Sequence, residues 1–179
     1  SYYLSSPFNF LVLLFEKENL HVFFHLLVIL KLSLAASNFS YFLNKRFESD
    51  KKIFVVILSV GYALSQYSIA QSSNIMWLDG VYMLPLMLAA VYELIEKRVT
   101  WKLSITVGLS ILFNWYTGGI NCLFTIIWFL FELALRQIEY SETERKIRLK
   151  ELFILFVKYG VSMALGVFLS AALSQTSFS

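Results

Sequence analysis

Ser73-Asn74-Ile75-Met76-Trp77-Leu78-Asp79-Gly80, followed by Val81-Tyr82-Met83-Leu84-Pro85-Leu86, decides how this chain is read. It is a short polar hinge between two long apolar runs. It carries a Trp, an Asp, a Gly and one of the two prolines in 179 residues. The apolar runs on either side are long enough to cross a bilayer, which needs about 20 predominantly apolar residues. An acid beside an aromatic at the rim of such helices is where a membrane protein places recognition or chemistry.

Composition agrees with that frame. Hydrophobic residues make up 58% of the chain, aromatics 17% and charged residues only 15%, with a mean hydropathy of +0.67. Soluble domains are nearer 45–50% apolar and about 25% charged. The fold class expected is all-α, a polytopic transmembrane bundle of about six spans plus an N-terminal interfacial helix. Two regions follow: an outer amphipathic segment at 1–20 and the bundle at 21–179. No starting Met or signal-peptide pattern opens the chain, and the expectation is an internal fragment of a longer protein. The single cysteine, Cys122, says nothing about redox compartment.

Upstream of the hinge, Ser5-Ser6-Pro7 reads as a helix start. The run Phe8–Phe15 is too short to span and reads as an interfacial helix. The first span, His21–Leu43, has Lys31 near its centre. A lysine there costs at least about 2.5 kcal/mol on insertion scales, so it faces the bundle. Asn38 lies seven residues on, on the same face. The second span runs from Ile53 to about Ser72, with Ser59, Tyr62, Gln66 and Ser73 as a polar stripe.

Downstream, the third span begins near Val81, which puts Pro85 close to its first turn. The fourth, Leu103 to about Phe113, is short and meets Asn114-Trp115-Tyr116-Thr117-Gly118-Gly119, where the Gly pair is expected to break or kink the helix. The fifth, from about Ile120 to Leu135, aligns Asn121, Thr125, Trp128 and Glu132 on one face. The sixth, Leu152 to about Leu173, has Gly160, Ala164, Gly166, Ala171 and Ala172 for close packing. Lys158 is expected to snorkel.

Charge sets the topology. The loops at 44–52, 97–102 and 136–150 hold Lys45, Arg46, Lys51, Lys52, Lys97, Arg98, Lys102, Arg136, Arg145, Lys146, Arg148 and Lys150. The alternate loops at 73–80 and 114–119 hold no Lys or Arg. The positive-inside rule puts the basic loops in the cytoplasm and the hinge outside. The net charge of +3 is thus a topogenic signal, and nucleic acid is not an expected partner.

Asp79, the one acid in the two short outer loops, is a candidate base, cation ligand or sugar-binding group; the alternative is an acid at the helix N-terminus. Trp77 is a sugar platform or an interfacial belt residue. Lys31 is a phosphate contact or half of a structural ion pair. Asn114, Tyr116 and Asn121 form a cavity rim or interhelical glue. Glu93 and Glu132 are expected near the cytoplasmic ends, snorkelling or paired locally. Neither a metal-ligand spacing around His21 and His25 nor a nucleotide-binding glycine loop appears, and no metal or cofactor is expected.

Taken in order, Tyr3-Leu4-Ser5-Ser6-Pro7-Phe8-Asn9, Leu30-Lys31-Leu32, Tyr62-Ala63-Leu64-Ser65, Asn74-Ile75-Met76-Trp77-Leu78-Asp79, Leu84-Pro85-Leu86 and Asn114-Trp115-Tyr116-Thr117-Gly118 resemble the bacterial YfhO family of membrane proteins. Asn114-Trp115-Tyr116 departs from that family's Asn-Tyr-Tyr by one aromatic exchange. The resemblance implies a GT-C-type glycosyltransferase, which takes a sugar from a polyprenyl-phosphate carrier at the outer face of the bacterial cytoplasmic membrane. The implied acceptor is a cell-envelope polymer, lipoteichoic or wall teichoic acid. It implies a catalytic carboxylate in an outer loop upstream of this chain. Lys31 is then expected on the carrier phosphate, with Asn74, Trp77 and Asp79 lining the sugar or acceptor site. The alternatives are a lipid-linked sugar transporter or flippase, and a non-catalytic envelope-assembly protein.

Overall fold

The computed structural model describes residues 7–15, 17–47, 52–139 and 149–176. Among the described residues seven α-helices carry the fold: α1 (Leu20–Arg46), α2 (Lys52–Ala63), α3 (Gln66–Ala70), α4 (Leu78–Lys97), α5 (Trp101–Phe113), α6 (Trp115–Glu139) and α7 (Leu149–Thr176). There is no strand among the described residues. Five stretches are long and apolar enough to cross a membrane, α2 and α3 together counting as one. The 13-residue α5 is the shorter sixth; at 1.5 Å per residue it reaches about 20 Å. The expected helical membrane bundle is therefore the fold found.

Helix α4 is the centre. In its most apolar stretch 67% of the residues are buried, against 22% in those of α1 and α7. α1, α5 and α6 pack around it, α2 packs on α1, and α7 packs on α5. One core cluster joins Met87, Val91 and Leu94 of α4 to Leu103, Val107, Phe129, Leu155 and Tyr159. A second joins Leu78, Val81 and Tyr82 to Ala35 and Ala63. The outward faces of α2 and α7, with Ile53, Ile57, Phe153 and Phe168 more than half exposed, are apolar. That is the pattern of helices whose outer solvent is lipid.

Several boundaries differ from the sequence reading. The second span is not continuous: it breaks at Leu64–Ser65, and the Ser65 side chain accepts from the Ser68 backbone N–H to start α3. The break ends the expected polar stripe. Ser59 is buried, whereas Gln66 and Ser73 are exposed and Ser68 takes the inner place. The third helix starts at Leu78, so Asp79 lies in its first turn and Pro85 is well inside it.

The Gly pair does not break a helix either. The break falls one step earlier, at Asn114, and both glycines lie inside α6. A Cβ on Gly118 would sit 2.7 Å from the Ser110 carbonyl oxygen and 2.8 Å from Ile111 Cα, so its bareness lets α6 fold back against α5. Gly119 faces open space. On α7, only part of the expected small-residue face packs: Gly166 meets α5 at Ser104 and Val107, while Gly160 has nothing within 4 Å and Ala164, Ala171 and Ala172 are exposed.

The N-terminal segment is a 3-10 helix, Pro7–Leu14. Phe8, Val12 and Phe15 pack with Phe23, Leu27 and Ile75, and Leu13 is 81% exposed. The Ser5-Ser6 helix start, Lys51 and the basic residues Arg145, Lys146 and Arg148 fall outside the described residues.

Candidate functional site: the hinge and the helices that hold it

The hinge folds as a 3-10 turn, Ile75–Trp77, leading directly into α4. Its carbonyls are gripped by side chains from four sides. Lys31 Nζ of α1 donates to the Ile75 carbonyl at 3.0 Å. Asn114 Nδ2 donates to Met76 at 2.9 Å. Asn121 Nδ2 of α6 donates to Gly80 at 2.9 Å. Tyr62 Oη of α2 donates to Val81 at 2.7 Å, and Asn38 Nδ2 of α1 donates to Tyr82 at 2.8 Å.

The physical need for some of these donors is local. Pro85 has no N–H, so the carbonyl four residues earlier, Val81, has no intrahelical partner. The Tyr62 hydroxyl supplies it. The Ile75 and Met76 carbonyls lie in the turn ahead of α4 and share the single backbone N–H of Leu78, so each keeps acceptor capacity for a side-chain donor. In an apolar surround an unpaired Val81 carbonyl would cost several kcal/mol; the other donors add second bonds that tie their elements to the hinge and the start of α4.

Lys31 and Asp79 come together. Lys31 Nζ lies 2.6 Å from Asp79 Oδ1, with side chains 0% and 2% exposed. The lysine's cost of burial is offset by this pair and by the Ile75 carbonyl. Of the two sequence alternatives for Lys31, the ion pair is the one the geometry displays, and its acid is in the hinge itself. Asp79 also stands at the positive end of α4, which favours its negative charge.

Asn114 has two jobs. Its Nδ2 holds Met76, and its Oδ1 accepts from the backbone N–H groups of Tyr116 and Thr117 at 3.0 and 3.1 Å, capping α6. The cap places Tyr116 against Trp77, with ring centroids 5.4 Å apart. Tyr116 is 58% exposed, Trp77 is half-buried and Asn74 is exposed. The six residues singled out thus divide: Lys31, Asp79 and Asn114 bind other groups of the bundle, while Asn74 and Tyr116 are exposed and Trp77 lies half-buried against Tyr116.

At the far end of the bundle lies a group of charges: basic residues expected as loop signals, with Glu93 and Glu132, expected to snorkel or pair locally. Glu93 is 2% exposed and pairs with both Lys45 and Lys102, the latter at 2.6 Å. Glu132 is fully buried and pairs with Arg46 at 2.5 Å. Glu96 pairs with Arg136. Lys158, part-buried, reaches the Arg98 carbonyl at 3.5 Å. These acids do not snorkel; they bind basic residues of neighbouring helices. The hint was there in acids set inside apolar runs, which require partners. Which partners they take depends on packing.

The two turns without Lys or Arg therefore meet at one end, and the charged pairs gather at the other. Among the described residues no three His, Cys, Asp or Glu side chains converge as metal ligands would.

The family model for the bacterial membrane protein YfhO matches residues 1–178. Comparison with curated proteins and with solved structures finds no match. On a match over nearly its full length, the chain belongs to the YfhO family of bacterial membrane proteins.

Proposed function

We propose that this chain is part of the membrane domain of a GT-C-type glycosyltransferase. The enzyme moves a sugar from a polyprenyl-phosphate carrier to a cell-envelope polymer such as teichoic acid, at the outer face of the bacterial cytoplasmic membrane. One observation carries the reading: an aromatic and polar group, exposed Asn74 and Tyr116 with half-buried Trp77, stands at a hinge tied to α1, α2, α6 and the α5–α6 junction. It lies at the end opposite the basic loops, and the positive-inside rule puts that end outside.

In this proposal Trp77 and Tyr116 present ring faces to a sugar, and Asn74 supplies a hydrogen-bonding side chain. Lys31 and Asp79 act as positioning residues, because each is already held by the other. A phosphate contact by Lys31 would require that pair to open. The base that takes the acceptor proton is not assigned to Asp79 for the same reason. The membrane lipid, the polyprenyl-linked donor and the polymer acceptor are the partners proposed.

The test uses the full-length protein. A strain lacking the gene is complemented with wild type or with Trp77→Ala/Tyr116→Ala, and the sugar content of its teichoic acid is measured. Loss of sugar in the deletion strain and in the double variant, at normal membrane levels of the protein, is expected. Unchanged sugar in the deletion strain would sink the proposal. Purified protein in liposomes that moves the lipid-linked sugar across the bilayer without transferring it would make the protein a transporter instead.

A further inference from the structure

A groove opens on the bundle away from the hinge. It lies over α4 between α1 and α5 and encloses about 500 Å³, within the range of about 300–1,000 Å³ typical of ligand sites. Its walls are apolar along Leu86, Ala89, Ala90 and Ile105. The small side chains of Ala89 and Ala90 keep the floor low, so α1 and α5 stand apart above it.

The charged groups of the groove collect at its basic end, while Asn38 and Thr106 also line it. Lys102 is 37% exposed and Glu93 is 3% exposed as side chains. Lys45, beside them, also pairs with Glu93 and donates to Tyr41 Oη at 2.6 Å. Among the described residues, two lysines against one carboxylate leave one positive charge in excess. The rings of Tyr41 and Trp101, 46% and 60% exposed, flank that charge. The Lys102 ammonium is 5.6 Å from the Trp101 ring centre.

Apolar walls leading to a net positive charge with an aromatic rim match one chemistry, an acyl chain bearing an anionic head. Aromatic side chains settle at the headgroup level, and basic pockets between spanning helices take anionic lipid heads. We propose that this groove is a binding site for an anionic diacyl phospholipid of the phosphatidylglycerol type. The acyl chain lies along Ala89, Ala90 and Ile105, and the phosphate lies on Lys102 and Lys45. The charge sets the preference for anionic over zwitterionic lipid; the groove sets the position.

The experiment uses full-length protein in nanodiscs or detergent. Phosphatidylglycerol is titrated against phosphatidylcholine and binding is read by native mass spectrometry. Preferential binding of phosphatidylglycerol is expected. Lys102→Gln, which leaves Lys45 on Glu93, is expected to weaken it about fivefold, the effect of one lysine near an anionic surface. Lys97→Gln removes a charge from the same end but outside the groove and is expected to leave it unchanged. Equal binding of the two lipids, or equal loss in both variants, would overturn the site. Should Lys102→Gln fail to fold, wild-type protein labelled by phosphatidylglycerol with a photoreactive acyl chain decides. Adducts on residues 86–90 and 101–106 support the site; adducts elsewhere, or labelling by photoreactive polyprenyl phosphate in its place, refute it.

Discussion

Tyr62 completes what Pro85 leaves undone: its hydroxyl donates at 2.7 Å to the Val81 carbonyl, whose helical partner would have been the N–H that Pro85 lacks. A proline in the interior of α4 thus becomes a docking point for α2. The same stretch is held at Gly80 and Tyr82 by Asn121 and Asn38. Three consecutive carbonyls of α4 are tied to three different helices.

That relationship gives a double-mutant cycle. Tyr62→Phe should destabilise by about 1 kcal/mol, the scale of an interhelical hydrogen bond. In a Pro85→Ala background the backbone N–H returns, and the same Tyr62→Phe change should cost markedly less. Thermal unfolding of the four proteins in one detergent measures the coupling; additive effects would show that Tyr62 serves only as packing.

Lys31 and Asp79 should behave as a unit. Removing one partner leaves a buried charge alone, so Lys31→Met or Asp79→Leu is expected to cost about 3–5 kcal/mol. The Lys31→Met/Asp79→Leu double variant should recover most of that loss, because the orphaned charge is gone. Folded yield and melting temperature report it. A double variant as unstable as the sum of the singles would contradict the pairing.

The two adjacent glycines of α6 should separate cleanly. Gly118→Ala forces a methyl against the backbone of Ser110 and Ile111 and should cost about 1–3 kcal/mol. Gly119→Ala meets nothing within 4 Å and should stabilise by up to about 1 kcal/mol through helix propensity. Both are read by the same unfolding assay.

The charged end should be uneven. Arg46→Gln strips the partner from Glu132, which is fully buried, and should cost about 3–5 kcal/mol. Arg136→Gln strips the partner from Glu96, whose side chain is 39% exposed, and should cost less than about 1 kcal/mol. Melting temperatures that fall equally would show that burial is not what distinguishes the pairs.

Much of this was legible in residue order. Apolar runs of spanning length, a lysine at mid-span and basic loops that alternate with loops lacking Lys and Arg determine a helical membrane bundle, because hydrocarbon leaves the backbone few alternatives. The ordered family segments were readable in the same way. The hinge was visible as the chain's polar interruption, and the inward face of Asn121, Thr125 and Glu132 followed from helical period; all three are buried.

Tertiary structure decided the rest. Period places Lys31 on an inward face but cannot choose its acid. Asp79 becomes the partner only when α1 and α4 lie side by side, 48 positions apart in the chain. The Gly pair looked like a break because glycine is a breaker in isolation. Packed against α5, Gly118 is a contact surface, and the break moves to Asn114, whose side chain caps α6. The opening hinge, read as an exposed site, proved to be two layers. Its acid is buried against Lys31, while Trp77 is half-buried and Tyr116 beside it is exposed, a distinction set by which helices pack against the hinge.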